Sequence, residues 1–349
     1  MAAQLSAEIS ILSGGASVSA IKASRGAALG LQLPKEPLPQ HIPKIVRVER
    51  KHTLKGHADA VTSLCFSPDS FLLASGSDDN TVRMWDVQSG NLRTIFTGHN
   101  AKVHALNFIG SGTILFSVSK DRTIIEWDLL RGTLRMTLEG HGAPVYGVCV
   151  SKDSQKIITC SHDETIRIWE IMKGNLQKTV KAHTSTVYSV VLCPDGKLIA
   201  TASADKTVKL WDLGTGELKA TLIGHTSHVV GVAFTPDGKK LLSAGWDEVI
   251  KCWDVETGDV LHTFTGHQGK VHCVCTAPDG DTVFSGGEDK TIKLWRISTG
   301  TCFHTIQPDP LGKASHSDEV LAVAISPDQS LLASASADNS IRTWKVVGL

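Results

Sequence analysis

The stretch "GHTSHVVGVAFTPDGKKLLSAGWDEVIKCWD" (224–254) holds His225, Ser243 and Asp247. A carboxylate, an imidazole and a hydroxyl are the parts of a nucleophilic triad, in which the carboxylate orients the imidazole and the imidazole takes the hydroxyl proton. Such chemistry needs one set, with its hydroxyl oxygen open to a substrate. The chain carries seven. The histidines are His57, His99, His141, His183, His225, His267 and His316, spaced by 42 residues five times and then by 49. Eighteen residues after each comes a hydroxyl: Ser75, Ser117, Thr159, Thr201, Ser243, Ser285 and Ser334. Four further on is a carboxylate: Asp79, Asp121, Asp163, Asp205, Asp247, Asp289 and Asp338. Six beyond that is an indole: Trp85, Trp127, Trp169, Trp211, Trp253, Trp295 and Trp344. An enzyme does not need seven triads, so the pattern points to a structural network, and no catalytic residue is assigned to it.

The elements that must position these residues read as short strands. "VVGVAF", "KLLSAG", "VIKCWD" and "VLHTFTG" are apolar, branched runs separated by turn signals. "PDG" at 194–196, 236–238 and 278–280 is hairpin chemistry, and "SG" or "TG" follows most of the Trp-Asp pairs. Four strands per repeat, seven times over, leave no room for helices within the array.

Composition narrows the function classes. Lys+Arg and Asp+Glu are both 35 among 349 residues, which counts against a nucleic-acid binder with a basic excess. No apolar run is long enough for a membrane span, and no secretory leader is evident. Eight cysteines show no CxxC spacing, so buried, reduced thiols and a cytoplasmic setting are expected. No Gly-rich phosphate loop, HExxH or GxSxG is present, and neither a cofactor nor a metal is expected.

A period in the low forties with Gly-His and Trp-Asp signatures resembles the WD40-repeat family, from about residue 46 to the end. Departures are small: Ala182-His183, Ser315-His316, Trp169-Glu170, Trp295-Arg296 and Trp344-Lys345 replace the usual dipeptides. The resemblance implies an all-β, seven-bladed propeller with four antiparallel strands per blade. Each His–Ser/Thr–Asp–Trp set is then a hydrogen-bonded chain inside one blade. Residues 46–55 are expected to complete the last blade outside Ile341–Val347, which removes open sheet edges. Residues 1–45 form a tail with a Pro-rich linker, "LPKEPLPQHIPK". Its first 33 residues read as a partner-docked or disordered tail, with an organelle transit peptide as the alternative; nucleus and cilium are open as settings too.

In propellers of this family, partners contact the third and fifth residues after the histidine and the residue before the aspartate, on the upper face. Carried over, these positions include Lys102, His104, Lys120, Tyr146, His162, Tyr188, His228, Trp246, Lys270, His272, Glu288 and Glu319. Both tyrosines of the chain, and its one tryptophan outside the repeating sets, fall there. Tyr and Trp are the residue types enriched at binding hot spots. The expected function is a non-catalytic scaffold or adaptor for protein or peptide partners. Two alternatives remain: a nucleic-acid propeller using Lys102, Lys120 and Lys270, and an enzyme at the central channel using Asp78, Glu288 or Glu319. The seven extra residues before His316, within "QPDPLGKASHSDE", are expected to form a polar loop on the upper side.

Overall fold

The computed structural model describes residues 47–311 and 313–348; the expected tail and linker, residues 1–45, lie outside them. Strands are numbered β1 to β28 in chain order, and among the described residues they form seven four-stranded antiparallel sheets. In the first blade these are β2 (Val61–Phe66), β3 (Leu72–Ser77), β4 (Val82–Asp86) and β5 (Leu92–Phe96), from the channel outward. The last blade uses β26 (Val320–Ile325), β27 (Leu331–Ser336) and β28 (Ser340–Val347), with β1 (Arg47–Lys55) as its outer strand. The ring therefore closes by joining both ends of the propeller, Arg47 lying opposite Val347 and Lys55 opposite Ser340.

Each strand's composition follows from what covers it. The second strand of a blade is buried on both faces and reads as a run of small and apolar residues, such as "LLASGS" and "LLASAS". The outer strand is largely exposed and mixed, as in "LRTIF". The core lies between blades. Ala74, Val82, Met84 and Phe96 of the first blade pack with Val103, Leu106, Leu115 and Trp127 of the second. At the closure, Leu54 of β1 and Ile341 of β28 pack with Val61, Leu73 and Trp85 of the first blade. Charged side chains are buried too: Arg342 lies in the last blade, and Glu126 is buried where neighbouring blades have Met84 or Ile168, with Arg135 meeting its Oε1 at 2.6 Å. Burial pushes the Glu126 carboxyl up against the pull of Arg135.

Turns explain the glycines that matter. Gly90 has φ 74°, and a Cβ there would sit 2.9 Å from the ring of His52 on β1, so the close approach of the closing strand needs glycine. Among the described residues no helix is long and apolar enough to cross a membrane.

Candidate functional site: a ring of bulged residues at the channel mouth

The repeating sets are closed networks. In the first blade His57 Nδ1 lies 2.8 Å from Asp79 Oδ2 and His57 Nε2 lies 2.8 Å from Ser75 Oγ, while Trp85 Nε1 donates to Ser75 Oγ at 2.8 Å. The other six blades repeat this with His–Asp separations of 2.8–3.0 Å and His–hydroxyl separations of 2.7–2.8 Å. Their indoles donate to the same hydroxyls, at 2.8 Å from Trp127, Trp253 and Trp295 and 3.0 Å from Trp169, Trp211 and Trp344. An indole N–H can only donate, so the hydroxyl oxygen accepts from it and sends its own proton to imidazole Nε2. The ring is then neutral, and Nδ1–H donates to the carboxylate. Every atom is used, which leaves no nucleophile.

The electrostatics agree with that proton order. Burial lowers the His57 imidazole below its usual range, against the raising pull of Asp79, and His183 and His316 are lowered likewise. Burial alone would raise Asp79, but hydrogen bonds from Thr81, the Ala58 N–H and His57 outweigh it and hold the carboxyl down at about 2.

The open chemistry lies elsewhere, and the inner strands put it there. In each blade the pairing of first and second strands slips by one residue, as between Val61 and Ser63 of β2. A bulge of this kind re-aims the extra side chain. The seven bulged residues are Thr62, His104, Tyr146, Tyr188, Val230, His272 and Leu321. A cavity of about 490 Å³ opens among them, lined also by Trp246.

The rings there touch in series. His104 stacks on Tyr146 with centroids 4.6 Å apart, Tyr146 meets Tyr188 edge-on at 5.2 Å, and Tyr188 lies 6.0 Å from Trp246. His228 covers Trp246 at 4.7 Å, and Lys270 Nζ lies 5.3 Å from that indole. Three of these rings keep a buried polar atom without a partner: His104 Nε2, His228 Nδ1 and Trp246 Nε1. Each such atom costs about 1–3 kcal/mol while it stays unpaired. Burial also pushes His104 down to about 4, so its ring is neutral at ordinary pH.

The charged positions are mostly answered within the rim. Lys102 pairs with Asp78, Lys270 Nζ lies 3.3 Å from Glu288, and His272 Nε2 lies 3.1 Å from Glu319. Lys120 is exposed, and the exposed His162 ring meets the Thr186 hydroxyl at 2.5 Å. Two of the three lysines of the basic arc are thus ion-paired. No group of three His, Cys, Asp or Glu side chains among the described residues is placed to hold a metal. The long connection before His316 is organised by Asp309, whose carboxylate accepts from the N–H groups of Leu311, Lys313 and Ala314, while Arg50 of β1 donates to the Lys313 carbonyl. That loop braces the closing strand. Sequence reasoning named the rim positions but missed the ring-to-ring series and the bulges; the valine before every bulged residue was the available signal.

A family model described as "WD domain, G-beta repeat" matches residues 48–86, 90–128, 132–170, 174–212, 216–254, 258–296 and 300–345. Each match runs from the outer strand of one blade through three strands of the next. Single segments resemble parts of other proteins. One is 52% identical over 52 residues to Protein Notchless of Drosophila melanogaster, covering 15% of this chain and 11% of that protein. Another is 45% identical over 47 residues to Nuclear distribution protein nudF of Aspergillus terreus, covering 14% and 10%. A third is 50% identical over 44 residues to Eukaryotic translation initiation factor 3 subunit I of Phaeosphaeria nodorum, covering 13% of each. These matches are about one repeat long and cover only about a tenth of each relative, so they speak for the repeat and not for a shared role.

Proposed function

Because the chain belongs to the WD40-repeat family, with its polar sets closed and its aromatic residues gathered at one mouth, we propose that it is a non-catalytic scaffold. It holds protein or peptide partners on the upper rim within a multiprotein assembly. The observation that carries this reading is the unbroken series His104–Tyr146–Tyr188–Trp246. Four rings from four blades, two of them tyrosines and one a tryptophan, form a ready-made hot spot on a rigid ring. A cytoplasmic setting fits the eight cysteines, all present as thiols. The name of Eukaryotic translation initiation factor 3 subunit I places that relative in a multisubunit factor, and a subunit role is the kind of work a scaffold does.

The test is co-purification from cells with wild-type protein and a Tyr146→Ala, Tyr188→Ala, Trp246→Ala variant. None of the three substitutions touches a closed set, so the unfolding midpoint is expected to hold. The partners are expected to fall away, since a truncated hot-spot ring typically costs about 2 kcal/mol or more, roughly thirtyfold in affinity. Identical partners in both preparations remove the upper rim from the account.

A further inference from the structure

The unpaired atoms at the mouth say what kind of chain would satisfy them. Trp246 Nε1 is a donor only, and His104 Nε2 and His228 Nδ1 can donate; Tyr146 and Tyr188 line the same cavity, and their hydroxyls can donate as well. The nearby carboxylates Glu288 and Glu319 are already paired with Lys270 and His272. A cationic ligand therefore finds its counter-charges taken. The complement is a neutral chain rich in acceptors and poor in donors, with flat apolar surfaces for the rings. A proline-rich segment has that chemistry: proline lacks an N–H, and the extended polyproline helix leaves its carbonyls free of internal hydrogen bonds.

The loop carrying Trp246 is also tied down differently from its counterparts. In blades one to four and seven, a serine two residues before the aspartate donates to a carbonyl of the histidine-bearing loop. In every blade but the fifth, a Thr or Ser two residues after the aspartate donates to its Oδ1. The fifth blade has Gly245 and Val249 in these two places. Without the second hydroxyl, Asp247 turns both oxygens to His225, at 3.0 and 2.9 Å. So the one loop that carries a rim tryptophan lacks both side-chain braces.

We propose that residues 245–249 carry Trp246 as a movable jaw that closes an extended proline-rich segment of a partner protein against the His104–Tyr146–Tyr188 arc, the segment's carbonyls accepting from Trp246 Nε1 and the tyrosine hydroxyls. This rests on the upper-rim scaffold reading. In the present position Trp246 Nε1 is shielded, and a small turn of the unbraced loop delivers it to the peptide.

The experiment uses the full chain labelled with ¹⁵N and acetylated decaproline amide at millimolar concentration. Seven of the eight indole N–H groups donate inside the repeating sets, and Trp246 alone does not. Only the Trp246 indole resonance, assigned by its loss in Trp246→Phe, is expected to move. Trp246→Phe and Tyr188→Phe keep a ring and remove a donor, and each is expected to weaken binding of dye-labelled decaproline about tenfold, the loss of one hydrogen bond. Val249→Thr restores a brace and is expected to weaken binding while raising the unfolding midpoint. An unmoved Trp246 resonance, or equal binding of a Gly-Ser decapeptide or a trimethyllysine peptide, overturns the proline-rich partner. Unchanged binding by Trp246→Phe and Tyr188→Phe overturns the carbonyl contacts, and unchanged binding by Val249→Thr overturns the jaw. If decaproline fails while the triple alanine variant still loses its cellular partners, this inference falls and the scaffold reading stands.

Discussion

His225, Ser243 and Asp247 have the composition of a triad but a different proton economy. In each set the proton order runs one way, from indole to hydroxyl to imidazole to carboxylate. Asp247→Ala leaves the His225 N–H without an acceptor in a site where both side chains are almost fully covered. The expected loss is on the order of 3–5 kcal/mol, the range for removing one member of a buried pair, measured by denaturant unfolding; an unchanged midpoint would disprove the network's role. Asp247→Asn keeps an acceptor and is expected to lose less. The same network sets the response to acid. The His57, His183 and His316 imidazoles and the Asp79 carboxyl all have folded pKa values below their ordinary ones. A lowered value means that the unfolded chain binds more protons, so the contribution to stability is complete above about pH 6.5 and falls as pH falls. The loss runs from the histidine range down to about 2, where Asp79 itself titrates. A protein equally stable at pH 7 and pH 4 would contradict this proton order.

At the scale of strands and turns, much was legible because one period repeats the same physical problem. Every blade needs a buried second strand, a Trp-bearing third strand and two tight turns, and each leaves its residue type in the sequence. The bulged side chains themselves gave no signal, because a bulge is a backbone event that places no demand on its own side chain: Thr62, His104, Val230 and Leu321 have little in common, and only the valine before each is constant. The contacts between rim rings were hidden for a related reason. Tyr146 and Tyr188 stand 42 residues apart, and whether two such rings touch depends on how far one blade is turned from the next. Glu126 was hidden too, since nothing in "IIEWD" says that its carboxylate points between blades toward Arg135. The turns, by contrast, allow a quantitative expectation. Gly196, Gly238 and Gly280 take φ of 77°, 71° and 74° in the hairpins between first and second strands, and Gln329 takes 63° at the same place in the last blade. A non-glycine residue there costs about 1–2 kcal/mol, offset in part by the extra freedom glycine has when unfolded. Gln329→Gly is therefore expected to raise stability by about 0.5 kcal/mol, and a lower unfolding midpoint would show that the Gln329 side chain makes a contribution of its own.

For the propeller as a whole, the ring has one joint made from distant parts of the chain. Elsewhere a blade is continuous and consecutive blades share a core, but the last blade depends on β1, which pairs with eight residues of β28 and places Leu54 in the closing core. Remove β1 and two things follow. The outer edge of β28 presents unpaired N–H and C=O groups to other chains, and Trp344 loses the strand that lies against it at Arg50. Asp309 and Arg50 then lose the link between the long loop and the closing strand. Deleting residues 1–55 is accordingly expected to give aggregates or higher oligomers in size-exclusion chromatography, with a broad, less cooperative thermal transition. Deleting only residues 1–40 leaves all of β1, which begins at Arg47, and is expected to leave both elution and midpoint unchanged. A synthetic peptide of residues 46–56 added to the longer deletion separates loss of the joint from general misfolding, because it can pair only with the vacant edge. Recovery of the single-species elution supports closure by β1; a longer deletion that is monodisperse and fully cooperative without the peptide would mean that the six continuous blades and β26–β28 hold the ring alone.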